Sequence, residues 1–184
     1  SGKGGVGKSV VSVLLATALA REGRRTLLLD GAQNLGNLHI LLGVRPVGRL
    51  EGVLSGEASA TDLLTPVTEN LWLLPADSGT ESLYSLAAVD QARLHYRLST
   101  LYDEFDAVIV DAGPGIEGVV RLSTMRGTRL LVVTMPEPAA LTDAYALIKI
   151  VSLQLPGLPV DVLANRTLDA EEGTAAYDRL TTAS

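Results

Sequence analysis

Gly2-Lys3-Gly4-Gly5-Val6-Gly7-Lys8-Ser9 satisfies every fixed position of G-x-x-x-x-G-K-[ST]. In that pattern the glycines let backbone N–H groups turn inward around phosphate oxygens. Lys8 is then placed to reach the β- and γ-phosphates, and Ser9 to offer its hydroxyl to Mg²⁺. The next segment, Val10 to Arg21, has helical spacing, with Val10, Val13, Leu14 and Ala18 on one face. A helix that starts near Lys8 aims its positive dipole end at a bound anion. The same octet can also be read as a plain Gly-rich turn into a helix. Two aspartates further along, each closing an apolar run, favour the phosphate reading.

Those runs set the fold class. Thr26 to Asp30, Leu71 to Pro75, Ala107 to Asp111, Arg129 to Thr134 and Val160 to Ala164 are short and continuously apolar, as suits strands buried on both faces. Between them, Ser82 to Tyr102, Leu141 to Leu153 and Ala170 to Leu180 have helical spacing. Gly43 to Pro66 reads as a Gly-rich loop with short helical turns around Leu50 to Leu54 and Thr61 to Leu64. Strand and helix in alternation predict an α/β fold: a doubly wound, mostly parallel sheet with helices on both faces. Ligands of such sheets bind beyond the carboxyl ends of the strands. Asp30, Asp111, Pro136 and Asn165 stand at or just past such ends and could line one crevice with the Gly-rich start.

Composition narrows the class further. The chain has 184 residues, which suits one nucleotide-binding domain spanning 1–184, and 47% of them are hydrophobic, enough for a sizeable core. A formal net charge of -6 and 4% aromatic residues argue against a broad basic footprint or stacking platform for nucleic acid. With no cysteine there is no disulfide scaffold, thiolate zinc site or thiol nucleophile. No apolar run reaches the roughly 18 to 20 residues of a membrane span, and the opening has no signal-peptide pattern. A cytoplasmic location is compatible with all of this.

Lys3 adds information, because an ordinary phosphate loop places no demand on that position. Lys3-Gly4-Gly5-Val6-Gly7-Lys8-Ser9 resembles the deviant Walker A loop of the MinD/ParA family of P-loop ATPases. The resemblance runs over nearly the whole chain. Leu27-Leu28-Leu29-Asp30 with Asn37-Leu38 and Leu41-Leu42-Gly43 looks like the segment after the second MinD strand. Val110-Asp111-Ala112-Gly113-Pro114-Gly115 looks like the Walker B strand and switch II turn. Leu74-Pro75-Ala76-Asp77-Ser78-Gly79, Pro136-Glu137-Pro138 and Leu141-Thr142-Asp143-Ala144-Tyr145-Ala146-Leu147-Ile148-Lys149 are most similar to the flagellar FlhG/FleN branch. Asp143 and Lys149 can also be a solvated helix face.

The resemblance implies ATP/ADP and Mg²⁺ as ligands. It implies nucleotide contacts by Gly2, Lys3, Gly4, Gly5, Val6, Gly7, Lys8, Ser9 and Val10, with Pro136, Glu137, Asn165 and Arg166 around the base. Ser9, Asp30 and Asp111 would serve the metal, Asp111 through a water. Lys3, Lys8 and Asp30 would be the catalytic groups, Lys3 by reaching the partner's phosphates in an ATP-bound homodimer. The implied work is control of flagellar number or placement. Its partners would be a flagellar transcription regulator and an FlhF-type GTPase, with peripheral contact at the inner membrane through a segment absent here. The family also has a strand before the loop and a tail after the Leu180 region, so the chain is expected to be an incomplete domain.

One departure matters. In the family the second strand ends with two aspartates one residue apart, and the second orients or activates the attacking water. This sequence reads Asp30-Gly31-Ala32, and a methyl group can do neither. His39 stands where the family usually has Asp and is expected to face solvent on a helix. ATP and Mg²⁺ binding are expected to survive and hydrolysis to be slow or absent, unless a neighbour such as Gln33 orients the water. The alternatives are a MinD- or ParA-type spatial organiser acting on membrane or DNA, and a non-hydrolysing nucleotide-bound regulator of a transcription factor. A metabolic enzyme on the same fold is a further alternative.

Overall fold

The computed structural model describes residues 5–31, 37–47, 50–75, 96, 98–113 and 127–182. They belong to two compact units, residues 9–113 and residues 1–8 with 114–184.

The first unit contains α1 (Lys8–Arg21) from its second residue onward, β1 (Thr26–Gly31), α2 (Leu38–Leu42) and α3 (Leu50–Ser55). A 3₁₀ turn at Thr61–Leu63, β2 (Thr65–Thr68), β3 (Leu71–Leu74), helical residues 98–102 and β4 (Ala107–Ala112) complete it. The strands form one sheet in the order β2-β3-β1-β4. β1 lies between two parallel neighbours, so all six of its residues are buried.

Successive side chains of a strand point to opposite faces, and the leucine run of β1 serves both. Leu27 and Leu29 join Val53, Leu63, Leu74, Leu98 and Leu101 in one cluster. Leu28 joins Leu71, Leu73, Ala16, Ala20 and Leu38 in another. Helical segments therefore cover both faces, as the alternation predicted. Each fully buried leucine stabilises by about 1.5–3 kcal/mol relative to exposure.

Two expectations for this unit need correcting. On α1, Val10 and Leu14 are 50% and 63% exposed and Ala18 is also exposed; Ala16 and Ala20 are buried, with Val13 partly buried beside them. The helix is apolar on nearly every side, so spacing could not select a face, and small alanines allow close approach to the sheet. Gly43 to Pro66 is not loop to its end: Thr65 and Pro66 begin β2, which pairs antiparallel with β3. Proline is tolerated there because β2 is an edge strand whose register shifts between Pro66 and Thr68.

At the amino end of the sheet the Arg25 guanidinium lies 5.1 Å from the Trp72 ring centroid and 5.7 Å from that of Phe105. The two rings meet edge to face at 5.5 Å. Nearby, burial pushes the Tyr102 phenol up to about 12 from its ordinary 10.0.

The second unit pairs β5 (Leu130–Thr134) with β6 (Val160–Ala164) in parallel, in register from Leu130↔Val160 to Thr134↔Ala164. α4 (Pro138–Gln154) connects them, and α5 (Ala170–Thr182) follows. α4 starts three residues before the expected Leu141, because proline suits a first helical turn, where an N–H has no intrahelical partner. Ala140, Leu141, Ala144, Leu147 and Val151 make its buried stripe at helical spacing. The N-terminus of α5 is capped by two side chains. The Asp169 carboxylate accepts the Glu172 N–H at 2.8 Å, and the Glu172 carboxylate accepts the Leu168 N–H at 2.7 Å. Among the described residues no helix is long and apolar enough to cross a membrane.

Candidate nucleotide site

The phosphate loop is described from Gly5 onward. Gly5 and Gly7 have φ of 84° and 95°, the left-handed region that side chains rarely adopt. Between them Val6 is fully buried and anchors the loop. The Val6 carbonyl accepts a hydrogen bond from Asn165 Nδ2 at 2.9 Å. A Cβ built on Gly7 would collide with that same Nδ2. Gly7 is thus favoured by its backbone angle, and a larger residue there would also push the Asn165 amide off the Val6 carbonyl. Lys8 then opens α1, so the loop leads straight into a helix N-terminus.

Asn165 follows the last residue of β6, and its backbone N–H bonds the Thr134 carbonyl at 2.8 Å. Arg166 comes next with φ of 57°, a left-handed turn made without glycine. Such a conformation is strained by about 1–3 kcal/mol and persists where the surroundings enforce it. After β5, Met135 is buried, Pro136 is half-buried and Glu137 is the exposed N-cap residue of α4. Pro136 and Asn165 therefore stand just past the carboxyl ends of parallel strands, as expected, and Arg166 follows Asn165.

In the other unit, Asp30 and Asp111 are register partners on adjacent parallel strands. Strand spacing of about 4.8 Å makes such partners side-by-side neighbours on one face. They are 2% and 3% exposed. Asp30 Oδ2 accepts the N–H of Leu38, the first residue of α2, at 3.3 Å. Asp111 Oδ1 accepts the Ser12 hydroxyl at 3.2 Å. Ser9 and Ser12 are one turn apart on α1, on the same side of the helix. Ser12 was not singled out in the sequence, although its i+3 relation to Ser9 is the signal that could have found it.

Several expected site residues lie outside the described ones: Gly2, Lys3, Gly4, Ala32, Gln33, Pro114 and Gly115. His39 is half-buried on α2 rather than solvent-facing. Lys149 is exposed, with its Nζ 5.9 Å from the Tyr145 ring centroid, and Asp143 is half-buried.

The arrangement has definite chemical capacity. A loop with two left-handed glycines ahead of a helix N-terminus suits an anion. Two buried neighbouring carboxylates suit a hard cation, because buried charges are paired or coordinate metals. Mg²⁺ in particular is commonly bound by one or two carboxylates together with phosphate oxygens and water. Taken separately, the loop thus fits the phosphates of a nucleotide and the carboxylate pair fits a magnesium ion.

Comparison with known proteins agrees. The family model described as AAA domain matches residues 1–155. The chain is 38% identical over 180 residues to the antiactivator FleN of Pseudomonas aeruginosa, covering 98% of this chain and 64% of that protein. It is 34% identical over 180 residues to the flagellum site-determining protein YlxH of Helicobacter pylori, covering 98% and 60%. It thus spans only 60–64% of the length of these curated relatives. The septum site-determining protein MinD of Pyrococcus horikoshii, solved with Mg-ADP, matches at a TM-score of 0.73 and 28% identity, over 97% of this chain and 74% of that one. The fold is that of the MinD-like P-loop proteins.

Proposed function

Because the chain belongs to the AAA-domain family, matched over residues 1–155, we propose that it is an ATP-binding switch protein of the FleN/YlxH type that regulates flagellar number or placement. The observation that carries this reading is the likeness to FleN and YlxH over 98% of the chain. The phosphate loop and the Asp30–Asp111 pair support the nucleotide part of it.

In this reading the loop residues and Lys8 hold the phosphates, and Lys3 reaches a second copy's phosphates. Pro136, Glu137, Asn165 and Arg166 surround the base. Ser9, Asp30 and Asp111 serve Mg²⁺, which supplies charge neutralisation of the phosphates when bound. ATP favours a homodimer, and the output is binding of a flagellar transcription regulator and an FlhF-type GTPase, in the cytoplasm or at the inner-membrane surface. A ligand shifts such an equilibrium only by its differential affinity for the two states. Ala32 offers no proton acceptor, so turnover is slow and the ATP-bound state long-lived.

Size-exclusion chromatography with light scattering, in ATP, ADP and no nucleotide, tests the switch. A doubled mass in ATP alone is expected, and no change overturns the reading. Phosphate release tests the rest. Ala32→Asp should accelerate it by roughly a hundredfold or more, and a wild type already as fast as Ala32→Asp rejects slow turnover. A MinD-type organiser is the second reading, favoured by the likeness to MinD. Nucleotide-dependent co-sedimentation with liposomes or DNA would support it.

A further inference from the structure

We propose that Asn165 is a positioning residue for the phosphate loop, so that a side chain assigned to the base also sets affinity for the phosphates. The proposal rests on the nucleotide reading above.

A carboxamide has two N–H donors and one carbonyl acceptor. Its partner here is the Val6 carbonyl, which can only accept, so the amide must present its nitrogen to the loop. The 2.9 Å bond joins residues 159 positions apart in the sequence and is partly buried. Among the described residues this is the only side-chain hydrogen bond of Asn165, so one N–H and Oδ1 can face a base edge. The backbone beneath Asn165 is fixed on either side, by its own N–H on Thr134 O at 2.8 Å and by the left-handed turn at Arg166.

Holding one carbonyl aims an amide. A trans peptide unit is planar, with its C=O and N–H pointing in opposite directions. Among the described residues no peptide bond is cis. When Asn165 fixes the direction of the Val6 carbonyl, it also fixes the Gly7 N–H, which must point away from Asn165. That N–H belongs to the glycine whose φ of 95° gives the loop its turn. A side chain on Gly7 would displace Asn165 Nδ2 from its place against the loop. The loop shape and the amide position are therefore mutually dependent.

A ligand without a base separates this role from base recognition. Affinities of the full chain for inorganic tripolyphosphate with Mg²⁺ and for ATP with Mg²⁺ are measured by calorimetry, in wild type, Asn165→Ala and Asn165→Asp. Asn165→Asp keeps the shape but replaces the donor by a carboxylate that faces an acceptor. Both variants should weaken tripolyphosphate binding by roughly tenfold, the scale of losing a buried hydrogen bond. In the ligand-free protein, the Gly7 amide resonance should shift in Asn165→Asp, which loss of base contact alone would not cause. Tripolyphosphate affinity within threefold of wild type in the variants, with ATP weakened or not, overturns the proposal. A wild type that binds neither ligand overturns the nucleotide reading itself. If thermal melting shows that Asn165→Ala and Asn165→Asp do not fold, Asn165→Gln keeps the donor one methylene farther out and is held to the same threefold limit.

Discussion

In residues 9–113 the chemically active groups are carried by the ladder: Asp30 and Asp111 are register partners on the two strands at its centre and edge. In residues 1–8 with 114–184 the loop is tied by the Asn165 side chain, which bonds the Val6 carbonyl across 159 positions of sequence. The first arrangement is held by many backbone bonds and a core on both faces. The second turns on one amide and one glycine. Local changes should therefore be absorbed in the ladder and felt sharply in the loop, while loss of core should act mainly on stability.

The largest expected effect lies in the core. Leu28, fully buried beside Ala16 and Ala20, should lose about 2–5 kcal/mol of stability on Leu28→Ala, read from urea unfolding by circular dichroism. A loss below about 1 kcal/mol would mean that the site collapses around the gap and that the ladder's core is not what holds it. Gly7→Ala should come next, with nucleotide affinity lowered roughly a hundredfold by strain and collision, at nearly unchanged stability of the four-stranded unit. Normal binding by that variant would show that the loop is not held as described.

Alkaline pH probes the four-stranded unit by another route. The Tyr102 phenol is raised when folded, so its neutral form is favoured there, and its contribution is complete below the ordinary 10.0. It is lost as pH rises from 10.0 through about 12. Stability should fall by about 1.4 kcal/mol per pH unit across that window, and Tyr102→Phe should remove this slope. An unaltered slope in Tyr102→Phe would assign it to other groups. The smallest effect is expected for Ser12→Ala. It removes one hydrogen bond from Asp111, and Mg²⁺-dependent nucleotide affinity should fall about threefold to tenfold. Because the ladder still holds Asp111, a hundredfold loss would show that the register alone does not position the carboxylate.

The sequence was most legible where chemistry demands particular residues at fixed spacing. The Gly5-to-Ser9 stretch, the strand-closing aspartates and the β–α alternation were all readable, and with them the fold class. The buried face of α1 was hidden because Val10 to Ala20 is apolar on nearly every side, and packing distance, not hydrophobicity, chose the alanines. β2 was hidden by Pro66 and two threonines, and only its place at the sheet edge makes that composition acceptable. Ser12 and the Asn165–Val6 bond are invisible to periodicity, because each depends on a partner about a hundred residues away or more. Family position made Asn165 an expected base contact, but its bond to the loop carbonyl lies between residues that no sequence pattern pairs.

The chain contains one tryptophan, Trp72, and it stands on β3 beside the Arg25 guanidinium and the edge of Phe105. Its emission is therefore an intrinsic optical label for one unit alone. A cation over the indole face makes intensity and wavelength sensitive to any loosening at the amino end of that sheet. The β5–β6 unit contributes no indole to the signal. Fluorescence and far-ultraviolet circular dichroism, followed together through one titration, would thus measure whether the two units melt as one cooperative body or in sequence, with no dye or engineered probe.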